Sequence, residues 1–273
     1  MRPSFIFASD LHGDVERMNY LIQKAIELQC PHIILGGDLF RGGGGNSVER
    51  QREFLRETVQ PVFEQFQGEV HTIFGNNDWG LVSREFERYC PKVKVFEGGS
   101  FRLDDGVEVL GISHVPVTPF PIKDWERVEA TSPVSPMSRI DGYCSWEGEV
   151  KDCIVRTDRT MMDELTKLGR LEGKLVVSHG PPAGTSMDLG WGGEHLGSTD
   201  LRELVLSEQP LGVLSGHIHE SPDRSGKMTE LLGDTWIANP GSHRGVSTYI
   251  LGACDDCLRL TGIREEGGNS REP

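Results

Sequence analysis

Five short segments bring together the side chains that hold divalent cations through nitrogen and oxygen: Asp10-Leu11-His12, Gly37-Asp38, Gly75-Asn76-Asn77-Asp78, Ser178-His179-Gly180-Pro181 and Gly216-His217-Ile218-His219. Imidazole and carboxylate suit manganese, iron and zinc, and no thiolate stands in these segments. In an extended stretch, residues i and i+2 point the same way, so Asp10 and His12 can share one ion. A tight bend lets His217 and His219 serve one ion each. Asp38 is a candidate bridging carboxylate, and the Asn76 amide oxygen a neutral ligand. Two divalent cations bring four positive charges, of which Asp10 and Asp38 cancel two, so the remainder attracts an anion. Two ions roughly 3.5–4 Å apart can bind a phosphoryl oxygen and create a hydroxide nucleophile.

Each segment follows directly on an expected strand. Ser4–Ala8, His32–Leu35 and Val70–Phe74 read as strands. The helices between them carry Val15, Met18, Leu21, Ile22, Ala25 and Leu28, then Leu55, Val59, Val62, Phe63 and Phe66, at helical spacing. This β-α-β-α-β order predicts a layered α/β fold with a largely parallel sheet. Ligands of such sheets bind beyond the carboxyl ends of the strands, where all five segments would meet. Further along, Phe101–Leu103 and Val107–Ile112 flank the turn Asp104-Asp105-Gly106 and read as a hairpin. Helices are expected near Thr160–Leu168 and over Thr199–Ser207, with strands over Lys174–Ser178 and Gly212–Ser215. Lys227–Ile263 reads as three or four antiparallel strands.

The whole chain reads as a single domain, 1–273. Val115–Asp158 is the least regular stretch, with the apolar residues Phe120, Trp125, Tyr143 and Trp146, and is expected to be an insertion or lid over the site. The tail, 265–273, is polar and expected to fray.

The net charge of -14 weighs against a nucleic-acid partner, whose phosphates an acidic surface repels. No apolar run is long enough to span a bilayer, and the N-terminal stretch is too short for a signal peptide. A cytoplasmic location is therefore expected. The six cysteines are scattered, and free thiols suit that compartment. The Cys254/Cys257 pair alone is weak evidence for metal or redox chemistry.

The five motifs, in this order, resemble the calcineurin-like metallophosphoesterase superfamily, whose pattern D-x-H, G-D, G-N-H-D/E, H and G-H-x-H runs along most of the chain. Pro119-Phe120 with Lys123-Asp124-Trp125-Glu126, Gly192-Gly193-Glu194-His195, Gly216 to Glu220 and Asn239-Pro240-Gly241-Ser242 resemble its Icc-like branch, which includes cyclic-nucleotide phosphodiesterases. The resemblance implies a four-layer α/β/β/α sandwich, two mixed sheets flanked by helices. It implies a first ion on Asp10, His12, Asp38 and His219, and a second on Asp38, Asn76, His179 and His217. The two divalent ions would be drawn from Mn, Fe, Zn or Ni, with Mn favoured.

One departure stands out. The family has His after the metal-binding Asn, where it contacts phosphate and can protonate the leaving group; here that residue is Asn77. Asparagine donates a hydrogen bond but delivers no proton, and general acid catalysis is typically worth about 10²–10⁴-fold. Asp78 is retained. His114 and His195 are candidates for a replacement acid, and His243 is a third. The second Asp of the protein-phosphatase pattern G-D-x-x-D-R-G is missing from Gly37-Asp38-Leu39-Phe40-Arg41-Gly42. Arg41 and Arg244 are candidate phosphate binders. Trp125, with Tyr143, Trp146 and Trp191, is a candidate platform for a base. Gly42–Gly45 lack the Lys-Ser/Thr of a phosphate loop and suit a flexible rim. His32 and His71 lie at strand starts and read as structural.

The leading expectation is an enzyme that hydrolyses a small phosphodiester or phosphomonoester, possibly of a nucleotide, with diesters favoured. The alternatives are a catalytically weak metal-binding scaffold of the same fold and a nuclease. Monomer and dimer both stay open.

Overall fold

The computed structural model describes residues 2–43, 47–132, 134–135, 138–242, 246–254 and 257–266. The first half alternates β1 (Phe5–Ala8), α1 (Val15–Glu27), β2 (His32–Gly36), α2 (Ser47–Phe54), α3 (Gln60–Phe63), β3 (Glu69–Ile73), α4 (Gly80–Tyr89) and β4 (Val93–Val95). The middle runs through β5 (Ser100–Arg102), β6 (Glu108–Ile112), β7 (Val115–Pro116), β8 (Glu126–Arg127), β9 (Asp141–Trp146), β10 (Glu149–Ile154) and α5 (Met161–Leu165). Then come β11 (Leu175–Ser178), α6 (Thr199–Glu208), β12 (Gly212–Leu214), α7 (Ser221–Ser225), β13 (Thr229–Leu232), β14 (Thr235–Ala238), β15 (Val246–Cys254) and β16 (Leu258–Glu266).

Two six-stranded sheets result, ordered β16-β15-β1-β2-β3-β4 and β13-β14-β12-β11-β6-β5. In the first, β1 through β4 run parallel and β15 joins β1 antiparallel. In the second, β6, β11, β12 and β14 run parallel, and β5 and β13 close the edges antiparallel. Both sheets are mixed, as the resemblance implies.

Three apolar layers explain the sandwich. Phe5, Phe7, Ile34 and Ile73 of the first sheet meet Val109, Leu175, Val177 and Leu214 of the second. The opposite residues of the same strands, Ile6, Ala8, Ile33, Leu35 and Val70, pack under the helices with Met18, Leu21, Phe63 and Phe86. Val176, Val213 and Ile237 pack against Leu165, Leu201 and Val205 of α5 and α6. Strands buried on both faces read as unbroken apolar runs, which is why HIIL and LVV show no alternation.

Local signals set the helix ends. The Asp14 carboxylate accepts from the Arg17 N–H at 3.1 Å and caps α1. Thr160 and Asp163 form a reciprocal capping box on α5. The second expected helix is interrupted: a π-helical turn, Leu55–Val59, joins α2 to α3. Pro61 lacks an N–H and crowds the carbonyl four residues back, and the wider turn relieves both problems.

Several expectations are corrected. The last expected group is four strands, but in two hairpins on different sheets, and β14 runs parallel to β12. Residues 265 and 266, expected to fray, belong to β16 and pair with β15, while 267–273 lie outside the described residues. The stretch 115–158 holds the antiparallel β9–β10 hairpin. That segment docks on the start of α4: Asp124 accepts the Gly80 N–H at 2.8 Å, and the Ser145 hydroxyl accepts the Leu81 N–H at 3.0 Å. No helix among the described residues is long and apolar enough to cross a membrane.

Candidate metal centre

All five motifs lie in loops after the carboxyl ends of parallel strands: β1, β2 and β3 of one sheet, β11 and β12 of the other. The loops are stitched to one another. The Asp10 N–H donates to Gly37 O at 3.0 Å, the His12 N–H to Asp38 O at 2.9 Å, and the Gly216 N–H to His179 O at 2.9 Å. Across the sheets, the His217 N–H donates to Asp10 Oδ2 at 2.9 Å, and His179 Nδ1 lies 2.8 Å from Gly36 O.

The Asp38 carboxylate lies at the centre. His12 Nε2 is 3.8 Å from its Oδ2, and His179 Nε2 is 3.5 Å from its Oδ1. Asp10 Oδ1 is 3.9 Å from His12 Nε2, and Asn76 Oδ1 is 3.3 Å from His179 Nε2. The His217 ring is 5.1 Å from that of His179, and the His219 ring 5.7 Å from that of His12, centroid to centroid. The seven expected ligands therefore form one cluster.

The backbone bears a conformational cost for this convergence. Asp10, His12, Asp38 and His217 have φ of 54°, 46°, 52° and 62°. Left-handed φ at a residue other than glycine costs about 1–3 kcal/mol and persists only where surroundings enforce it. The extended geometry expected for Asp10–His12 is therefore corrected: a coiled turn brings these side chains together. Arg17 and Ser242 hold that turn. The Arg17 guanidinium donates to Asp10 O at 3.1 Å and to Ser242 Oγ at 2.5 Å, and the Ser242 hydroxyl donates to Asp10 O at 2.7 Å.

The donor set fits cations. Asp10 Oδ1 is buried with no hydrogen-bond partner, which leaves its lone pairs free for an ion. His179 Nδ1 lies 2.8 Å from Gly36 O, so it donates there and leaves Nε2 turned to Asp38. A Cβ on Gly75 would lie 2.2 Å from Asp38 Oδ1 and 2.5 Å from His179 Nε2; one on Gly216 would lie 2.1 Å from Asp10 Oδ2. Both positions must be glycine for the ligands to approach.

The acidic and imidazole groups of the cluster also compensate one another's charge. Burial opposes charge on Asp38, but His179, His12 and the Asn77 N–H outweigh it and hold the carboxyl below its usual range. Burial also opposes charge on His179, but Asp38 and Asp10 raise it to about 9. Burial and the neighbouring His179 push His217 down to about 3.

The remaining expected residues fall in different places. Asn77 sits inside the cluster, its backbone and side-chain N–H groups both on Asp38. Asp78 is fully buried beneath it and accepts from the N–H groups of Phe40 at 3.0 Å and Gly75 at 2.9 Å. Burial and then the charge of Asp38 raise its carboxyl to about 7. Trp125 stacks on Phe74 at 5.5 Å and donates its indole N–H to Asp78 O at 2.7 Å. His114 is buried edge-on against Trp125, with burial holding it near 3, and lies 3.5 Å from Glu97. His195 is half exposed and pairs with Asp188 at 2.7 Å. Trp146 and Trp191 are exposed, and Tyr143 lines a separate cavity with Pro121 and Arg139. Arg244, His243 and the end of the glycine rim, 44–45, lie outside the described residues.

Arg41 is at the mouth, donating to His12 O at 3.2 Å. It lines a cavity of about 400 Å³ with His12, Asp14, Arg17, His219 and Ser242, and a neighbouring one of about 460 Å³ with Phe40, Ser47, Arg50 and Phe54.

Sequence reasoning passed over Gln51, which donates to Arg41 O at 3.0 Å and Asn77 O at 2.7 Å and so ties the rim to the cluster. A glutamine on a helix carries no signal of such a role. It also passed over Asn239, whose amide donates to Gly216 O at 3.2 Å and Ile218 O at 3.0 Å and fixes the loop bearing His217 and His219. The Asn-Pro-Gly-Ser turn contained that signal.

The geometry agrees with comparisons to known proteins. No curated protein matches the chain. Among solved structures, TT1561 of Thermus thermophilus is 16% identical with a TM-score of 0.57, covering 94% of this chain and 97% of that one. A dimetal phosphatase from Danio rerio is 12% identical with a TM-score of 0.57, covering 97% and 100%. GAP50, the anchor in the inner membrane complex of Plasmodium, is 11% identical with a TM-score of 0.56, covering 98% and 85%. At these identities the likeness is one of fold. The sequence profile of calcineurin-like phosphoesterases matches residues 3–221, and with that match the chain belongs to the calcineurin-like phosphoesterase family.

Proposed function

We propose that the chain is a metal-dependent phosphoesterase acting on small phosphodiesters in preference to phosphomonoesters. The observation that carries the reading is the clustering of Asp10, His12, His179 and Asn76 around the single Asp38 carboxylate. One divalent ion is assigned to Asp10, His12, Asp38 and His219, the other to Asp38, Asn76, His179 and His217. Those residues would hold two ions whose Lewis acidity would serve a phosphoryl oxygen and an attacking water near neutral pH.

The side chains divide the remaining work. Asp38 would serve both ions, and Asn77 fixes both of its oxygens. Gly36 sets the His179 tautomer. Arg17 and Ser242 hold the turn that aims Asp10. Arg41 faces an incoming anion from the rim. The preference for diesters rests on charge at the mouth. Its lining offers Arg41 and a largely buried Arg17, whose Nη1 is held by Asp10 and Ser242 while Nη2 has no hydrogen-bond partner, and Asp14 adds a negative charge. A diester monoanion suits that balance better than a monoester dianion. Asn77 supplies no proton, so good leaving groups are preferred. Manganese is the favoured ion.

The test is hydrolysis of bis(4-nitrophenyl) phosphate against 4-nitrophenyl phosphate by the full chain with manganese. The diester is expected to show the higher kcat/KM. A higher value for the monoester would overturn the preference. No hydrolysis of either with Mn, Fe, Zn or Ni would overturn the enzyme reading. The scaffold is the second reading, favoured by Asn77 and by the likeness to GAP50. A folded chain that takes up metal yet hydrolyses neither ester would support it.

A further inference from the structure

At the opposite edge of the first sheet, a second group of ligand types is built into the fold. His32 opens β2 and Glu69 opens β3, and the two are direct partners in the parallel ladder. His71 lies two residues beyond Glu69 and therefore projects from the same face. That face turns toward the second sheet: the His71 ring stacks on Phe101 of β5 at 3.5 Å, nearly coplanar at 3°. Both rings are buried, with His32 2% and His71 4% exposed.

The distances suit coordination. Glu69 Oε2 is 3.6 Å from His32 Nδ1 and 3.2 Å from His71 Nε2. One ligand atom from each of the three residues lies within 4.8 Å of the others. Nitrogen and oxygen ligands about 2.0–2.1 Å from a tetrahedral ion stand about 3.3 Å apart. His32 Nε2 lies 3.3 Å from Asp104 Oδ1, on the turn between β5 and β6. An imidazole that gives its far N–H to a carboxylate has its other nitrogen free as a lone pair, the usual arrangement of a metal-bound histidine. Here that other nitrogen, His32 Nδ1, is buried without a hydrogen-bond partner. With Nε2–H on Asp104, it presents a lone pair to the Glu69 carboxylate. Two acceptors facing each other are relieved by a second proton on the ring or by a cation between them, and a cation is also within reach of His71 Nε2.

We propose that His32, Glu69 and His71 form a separate metal site for zinc, with Asp104 orienting His32. Two imidazoles and one carboxylate are a zinc-type set, and by that chemistry the site prefers zinc to manganese. An ion there would tie the start of β2 to β3, while the His32–Asp104 contact joins them to the β5–β6 turn. This site is a strand length from Asp38 and Asn76, which follow the far ends of β2 and β3. It stands whether or not the phosphoesterase reading does.

The test compares the full chain with Glu69→Gln. The Glu69 side chain is largely exposed, so this variant keeps the fold. Both proteins are stripped with chelator, equilibrated with zinc by dialysis, and their zinc per chain is counted. The wild type is expected to hold one more zinc than Glu69→Gln at the same free zinc, and Asp104→Asn to weaken that ion about 10–100-fold. Only the difference between proteins is read, so it is independent of what binds at Asp38. Manganese-supported hydrolysis is expected to be equal in wild type and Glu69→Gln. Equal zinc counts in wild type and Glu69→Gln at the same free zinc would overturn the proposal.

Discussion

Asn77 holds Asp38 at both ends: its backbone N–H reaches Oδ1 at 2.8 Å and its side-chain amide reaches Oδ2 at 2.6 Å. The residue that replaces the family's imidazole is thus a positioning group for the central carboxylate. Asn77→His restores a proton donor beside the cluster. Its rate on a diester with an alkoxide leaving group is expected to rise at least about tenfold, toward the range general acids supply. Nitrophenyl esters, whose leaving group needs no proton, are expected to change little. Equal rates on alkyl esters in a fully metallated variant would place the acid elsewhere.

Gly216→Ala tests whether close approach matters at the metal centre. The added Cβ would lie 2.0 Å from Ser9 Oγ and 2.1 Å from Asp10 Oδ2. Asp10 must move, and with it the acceptor of the His217 N–H at 2.9 Å. Metal content and hydrolysis are expected to fall together, by about tenfold or more, beside an overpacking cost of about 1–3 kcal/mol. Unchanged metal affinity would contradict the geometry.

Glu97 provides a pH test away from the ligands. Burial raises its carboxyl to about 7, against the pull of the Ser113 hydroxyl and N–H. The facing His114 is held near 3 by burial and is neutral. The folded protein therefore keeps a proton on Glu97 that the unfolded chain gives up at the ordinary carboxylate pKa. Stability is gained below that ordinary value and is lost as pH rises from about 4.5 toward 7. Glu97→Gln mimics the protonated acid and has no charge to acquire. Relative to wild type, the variant is expected to gain stability over that window, by at most about 3 kcal/mol. Urea denaturation at either end of the window, near pH 4.5 and above pH 7, measures the difference. A gap between the proteins that stays constant with pH would contradict the assignment.

Much of this was legible in the sequence because the motifs and the strands before them share one register. HIILG ends at Gly36 and Gly37-Asp38 follows; LVVS ends at Ser178 and His179 follows. The placement of the seven ligands at one edge follows from that order. What stayed hidden depends on contacts between distant segments. The turn at Asp10 and His12 is left-handed because Gly37 and Asp38 of the next loop bond its N–H groups. The docking of Asp124 on Gly80 joins residues 44 apart, and no local propensity announces it. The helix α4 was within reach: Leu81, Val82 and Phe86 are spaced for a buried helical face. His32 and His71 gave no signal at strand starts, because only the ladder pairing of His32 with Glu69 brings them together.

In the proposed mechanism Asp38 would serve both ions in phosphodiester hydrolysis. The most direct measurement of that role is the manganese dependence of bis(4-nitrophenyl) phosphate hydrolysis by wild type and Asp38→Asn. Wild type is expected to be inactive after chelation and restored by manganese. Asp38→Asn is expected to lose more activity than the roughly 10–100-fold that loss of an outer partner costs, with its fold intact. Hydrolysis that survives chelation, or an Asp38→Asn protein as active as wild type at the same manganese, would contradict the account.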